Sequence, residues 1–221
     1  MKVHKVKVWD GSTRVFHWGL VGLIAGLWIS AELGYMDWHT RFGYAVMVLL
    51  LFRWGWGFCG SFYSRFSEFV KKPGQVASYL QSRQHSGPVP SLGHNPLGGW
   101  MVVALLLTLS LQVTSGLLAN DDIFTTGALA FLVSKETSDV LTTLHKGLFN
   151  VLLGLFALHV LAVIVHEMKG DKLVRAMIRG WKFSDEHIAV PAAGRGRVLL
   201  VWGLSLMMVL LMLKWAPVAD F

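Results

Sequence analysis

Cysteine is almost missing from the sequence. Cys59 stands alone, which excludes an internal disulfide, a four-thiolate cluster and a C-x-x-C-H attachment site. Charge is nearly as scarce: only 15% of the 221 residues are Asp, Glu, Lys or Arg, against 54% hydrophobic, and the mean hydropathy is +0.53. Such a chain is too apolar for an ordinary soluble domain. An A-x-A cleavage site is also lacking after the first apolar run, so that run is expected to stay as a mature helix although basic residues precede it.

What is present is a series of apolar runs. A helix needs about 20 mostly apolar residues to cross a bilayer, and five stretches approach or meet this: Val15–Leu33, Phe42–Phe58, Leu97–Leu118, Gly147–Val165 and Val198–Leu213. The expected fold is therefore an all-α integral membrane protein with five spans. Arg53 near one end of the second run and the shortness of the fifth make those two boundaries the least defined, and the fifth run could lie peripherally.

Net charge is +7 and the isoelectric point about 9.7, values that on their own suggest nucleic acid as a partner. Their distribution argues for topology and anionic lipid instead. With the N-terminus inside, only Arg41, Lys135, Lys146 and Lys214 face outward, and the other Lys and Arg collect on the cytoplasmic side, as the positive-inside bias requires. The expected location is the bacterial inner membrane, multi-pass, with a cytoplasmic N-terminus.

The connecting segments are a short outer turn at Tyr35–Trp38, an inner loop at Gly60–Pro96, an outer loop at Asn120–Leu144 and a second inner segment at Met168–Arg197. The inner loop holds an expected amphipathic helix, Val76–Gln84, followed by the breaker-rich Ser86–Pro90. The outer loop sets Asp121, Asp122, Glu136 and Asp139 beside the apolar patch Gly127–Val133; it is either a docking surface or a loop folded back on the helix ends. Tryptophans such as Trp38, Trp54, Trp56, Trp100 and Trp215 fall near span ends, where an amphipathic ring anchors at the headgroups.

Four of the nine histidines, His17, His39, His145 and His159, lie in or at the edge of spans, where coordinating side chains are expensive and point to function. His145 and His159 are 14 residues apart, so they fall within about 40° of one helix face and about 21 Å apart along it. Chain direction puts His39 and His145 at the outer side and His17 and His159 at the inner side. Each pair draws on two helices and can grip one porphyrin from both faces. Two imidazoles fill both axial positions of an iron and leave none for oxygen, which favours electron transfer.

Arg14 and Arg41, three and two residues from His17 and His39, are either partners for haem propionates or topology signals. Gly22, Gly26, Gly43, Gly147 and Gly154 serve either close porphyrin approach or helix contact. His166, seven residues past His159, is a rival ligand or a surface anchor, while His4, His85, His94 and His187 are read as solvated.

RVFHW at 14–18, GHNPLGGW at 93–100 and LHKGLFNVLLGLFALH at 144–159 resemble the bacterial cytochrome b561 and nickel-iron hydrogenase b-type cytochrome family. The resemblance covers about residues 8–183, as a di-haem transmembrane domain, and leaves 184–221 as a linker and fifth helix. It implies a four-helix core with two non-covalent haem b groups and quinone chemistry near the inner haem, where His94 and Asn95 could supply polar groups. Asn95 reads equally as the N-cap before Pro96. It also implies an outer haem exchanging electrons with a periplasmic cytochrome c, a hydrogenase or a dehydrogenase. A stand-alone oxidoreductase passing electrons from a small outer reductant to quinone fits the family too.

The expected function is thus electron transfer between the quinone pool and a periplasmic redox partner, with quinone oxidoreductase activity as an open question and no catalytic side chain assigned. Lipid and a homodimer are compatible partners; nucleic acid is not. The alternative is a histidine-containing transporter or metal-binding membrane protein without haem, or an inert anchor for a peripheral enzyme.

Overall fold

The computed structural model describes residues 4–86, 91–122, 125–186, 188 and 190–216. The readings of His187, of the His85 side chain and of the breaker stretch after Ser86 fall outside the described residues. The elements run β1 (His4–Lys7), α1 (Gly11–Glu32), α2 (Met36–Cys59), α3 (Phe66–Phe69), α4 (Pro73–Ser86), α5 (Pro96–Leu117), α6 (Lys135–Met168), α7 (Leu173–Arg179), β2 (Trp181–Ser184) and α8 (Arg195–Trp215). Five helices, α1, α2, α5, α6 and α8, are long and apolar enough to cross a membrane. The protein is an all-helical, multi-pass membrane protein, consistent with a four-helix bundle plus a C-terminal helix.

All five expected runs lie within or against these helices, and the largest difference is at α6. It begins at Lys135, well before the apolar run that marks its span. Its first turns are polar yet helical because Ser134 caps them, its Oγ accepting the Thr137 N–H at 3.3 Å, and because Lys135 pairs with Asp139 one turn on at 3.0 Å. At about 1.5 Å per residue its 34 residues measure about 50 Å, more than the hydrocarbon core of about 30 Å.

The chain forms two compact units, the first comprising 1–16, 53–104 and 155–198 and the second 17–52, 105–154 and 199–221. In the first, β1 and β2 pair antiparallel with Lys5 opposite Phe183 and Lys7 opposite Trp181. This small sheet is absent from the sequence reading, since four-residue strands leave too short a pattern to detect. The alternation buries Val6 and Val8 and leaves Lys5 and Lys7 exposed. Val8, Trp9 and Ala176 form a core with Tyr63, Leu92 and Met177. Gly180 closes α7 at φ +85°, where a Cβ would press on the Trp9 carbonyl.

The first unit is also built around Asp10. As N-cap of α1 it accepts the Thr13 N–H at 2.8 Å, and it accepts hydrogen bonds from Thr13 Oγ1 at 2.9 Å, Trp56 Nε1 at 3.0 Å, Ser64 Oγ at 2.9 Å and Ser61 Oγ. Burial acts to raise its pKa, but the hydrogen bonds from Ser61, Thr13 and Trp56 outweigh it and hold the carboxyl below its ordinary value. Trp56 is fully buried, so it is a core hydrogen-bond donor and not an interfacial anchor. Arg53 is likewise no flanking surface charge: it is 3% exposed, lies 5.0 and 5.6 Å from the Phe66 and Phe69 ring centres, and has Asp10 as its electrostatic partner. Arg197 ties the start of α8 to the end of α2 by donating to the Cys59 carbonyl at 3.0 Å.

In the second unit α1 and α2 are joined by Leu33–Tyr35 alone, with Gly34 at φ +73°. Val46, Leu49, Leu50, Phe52, Leu106, Leu109, Leu152 and Val209 are buried. Phe52 stacks on Trp202 with ring centres 4.0 Å apart and planes at 10°, so α8 is packed and not peripheral. The loop between α5 and α6 is folded back: Asn120 binds Thr142, Ser138 and Asp139, while Phe131 and Leu132 remain about half exposed.

Candidate functional site

His39 is in the first turns of α2 and His145 is on α6, both in the second unit. Their ring centres are 6.2 Å apart with planes at 80°. His39 Nδ1 is 2.9 Å from the Leu27 carbonyl of α1, and His145 Nδ1 is 2.9 Å from the Gln112 carbonyl of α5. A carbonyl can only accept, so each ring carries its proton on Nδ1 and keeps the Nε2 lone pair for a metal, the arrangement that orients ligating histidines.

An iron with an axial nitrogen about 2 Å away on each side, plus the half-width of each ring, requires centres about 6 Å apart. The observed separation fits a haem iron held between the two rings. Gln112 adds an amide, whose Nε2 is 3.3 Å from His145 Nε2, and its buried Oε1 has no hydrogen-bond partner; Ser115 Oγ is 3.3 Å from His145 Nδ1. Gly43 follows His39 by one turn on the same face. A side chain at Gly22, Gly43, Gly147 or Gly154 would meet no atom within 4 Å, so these glycines do not serve helix contact, whereas Gly26, against Phe42, does.

His17 packs edge-on against Trp18 at 4.9 Å. It belongs to the second unit, and His159, on α6, to the first. Arg14 donates from Nη1 to the Ile178 carbonyl at 2.6 Å, at the end of α7, and Arg41 lies over the Trp38 ring at 5.2 Å.

His94 is half-buried rather than a free surface side chain, with the Trp9 and Phe69 ring centres each 4.7 Å away. Asn95 is the N-cap of α5, its Oδ1 accepting the Gly98 N–H at 2.7 Å. The same amide reaches His166, Nδ2 to Nε2, at 3.4 Å. His166 Nδ1 is 3.4 Å from Asp171 Oδ2, and Asp171 Oδ1 is paired with Lys182 Nζ at 2.7 Å. Both ring nitrogens of His166 thus face protein atoms within its own unit.

Sequence reasoning missed Gln112, Ser115 and Gly116 beside His145, and Asp10, Asp171 and Lys182. Only Asp10 left a local signal, an acidic residue three before Thr13 at the head of an apolar run. Among the described residues, no three His, Cys, Asp or Glu converge as they would on a zinc ion.

The family model for prokaryotic cytochrome b561 matches residues 8–180. No curated protein and no solved structure matches significantly.

Proposed function

The chain belongs to the prokaryotic cytochrome b561 family, membrane di-haem b cytochromes of electron transfer, and on that premise we propose that it carries electrons between the quinone pool and a periplasmic redox partner. When bound, haem b would supply reversible one-electron chemistry. His39 and His145 hold the outer group and His17 and His159 the inner one. The observation that carries this reading is the 6.2 Å face-off of His39 and His145 with both Nδ1 atoms tied to carbonyls.

Arg41, over Trp38 near His39, neutralises propionate charge at the outer surface. Arg14 holds the end of α7 through the Ile178 carbonyl, and its position three residues before His17 suits a second propionate. Quinone sits on the inner side against His94 and Asn95, the rings of Trp9 and Phe69 fixing the imidazole. The basic inner segments set the N-terminus in the cytoplasm of a bacterial inner membrane. The folded outer loop, with Asp121, Asp122 and the exposed Phe131 and Leu132, is the surface for a cytochrome c, hydrogenase or dehydrogenase. Residues 8–183 form the di-haem domain and 184–221 the appended linker and α8.

The test is the dithionite-reduced minus oxidised spectrum of detergent-purified protein, with pyridine haemochrome quantitation, for wild type and for each of His17, His39, His145 and His159 changed to Ala. Two haems in wild type and one after each change support the reading. No haem, or a content indifferent to all four changes, overturns it and returns the transporter reading.

A further inference from the structure

Asn95, His166, Asp171 and Lys182 lie in one unit and form a continuous polar chain whose proton positions can be assigned. The Gly98 N–H must be a donor, so the Asn95 atom facing it is Oδ1 and the atom facing His166 is Nδ2. His166 Nε2 is then an acceptor, its proton is on Nδ1, and that proton points at Asp171 Oδ2. Asp171 is held by Lys182 Nζ, which also donates to the Ser91 carbonyl at 3.0 Å. Side-chain exposure is 13% at His166, 24% at Asp171 and 11% at Lys182, so the largely buried imidazole comes nearest to water through Asp171. The other charged groups beside it are the Lys172–Glu167 pair, 3.7 Å apart, with Glu167 also accepting the Val174 N–H.

We infer that His166 and Asp171 are the proton conduit of the quinone site, an assignment that rests on the proposed quinone position at His94 and Asn95. Each quinol oxidised breaks two O–H bonds and yields two electrons and two protons. The two electrons would pass one at a time to the bound haems and on to the external acceptor. The first proton passes onto His166 Nε2, displacing the Asn95 N–H, while the Nδ1 proton moves to Asp171 and then to water; the ring turns over to restore the Nδ1–H tautomer before it takes the second proton, and quinone reduction runs the same route inward. Imidazole suits this task because it can take a proton on one nitrogen and release one from the other. Lys182 is a positioning residue that keeps the Asp171 carboxylate in reach.

The test uses full-length protein with both haems in nanodiscs, mixed anaerobically with decylubiquinol or menadiol, following the haem band and a pH-indicator dye together. Asp171→Asn is expected to lower kcat at least about tenfold with KM and dithionite-reducible haem unchanged, to delay dye-detected proton release equally, and to regain rate with millimolar formate. His166→Gln, which keeps a hydrogen-bonding side chain, is expected to slow the reaction likewise and serves if Asp171→Asn fails to assemble. Quinol rates within twofold of wild type in either assembled variant, or a slowing that formate leaves untouched, overturn the conduit. A wild type that neither quinol reduces overturns the quinone position itself, and the conduit with it.

Discussion

A Cβ built on Gly116 would lie 2.8 Å from Cε1 of His145 and 3.1 Å from its Nδ1. The glycine on α5 is therefore what lets the imidazole on α6 lie against the Gln112 carbonyl. Gly116→Ala is expected to push the ring off that carbonyl and lower haem content from two toward one. Gly203→Ala, on α8 where a Cβ would meet nothing within 4 Å, keeps both. Pyridine haemochrome quantitation decides; two haems in Gly116→Ala would separate His145 from iron binding.

Asp10 gathers its donors on a partly buried carboxylate, so Asp10→Asn is expected to cost about 1–2 kcal/mol by weakening the cap and its charge-assisted hydrogen bonds. Because the folded carboxyl is held below its ordinary value of 3.8, this stabilisation is present in full above that value and disappears as pH falls through the lowered one. Melting in detergent followed by circular dichroism should show wild type above the variant at neutral pH and the gap closing in acid. A gap that widens in acid contradicts the assignment.

Arg53 and Asp10 carry opposite charges within the first unit. Arg53→Met fills the space over Phe66 and Phe69 but removes the charge, and in a double-mutant cycle with Asp10→Asn the two losses should fall short of additivity by about 1 kcal/mol. Strict additivity would mean that the two groups do not sense each other.

Trp202→Ala removes the stacking partner of Phe52 and should weaken the hold on α8 by about 1 kcal/mol. Trypsin cleavage at Arg195 and Arg197 is expected to speed up while haem content stays at two. Lost haem would instead assign α8 to the cofactor-binding core.

The single Cys59, at the C-terminal end of α2, makes the proposed orientation testable without mutagenesis. A membrane-impermeant maleimide should label it in inverted vesicles and not in intact spheroplasts; the reverse pattern would place the N-terminus outside.

The spans were legible because an apolar helix in lipid announces itself by length and composition, with no partner needed to explain it. The polar start of α6 was not, as Lys135–Leu144 is helical through a cap and an i,i+4 pair rather than through apolarity. Histidine depth along each span could be counted from chain direction, which is why His39 and His145 could be paired before any coordinates. Gln112 and Gly116 could not be foreseen: which residue of α5 lies beside His145 depends on the rotation of one helix against another, and periodicity in a helix apolar all round does not encode it. Asp171 and Lys182 meet His166 through the turn after α6 and the strand β2, and contacts that arise from a fold of four-residue strands leave no pattern in the chain.

The turn at Leu33–Tyr35 also has a meaning in time. His39 is fixed to Leu27 within one hairpin, and such local contacts form early while distant ones wait. A ribosome releasing this chain would set the His39 ring, its proton already on Nδ1, long before α6 emerges with His145, so the two imidazoles meet only once that later helix is inserted.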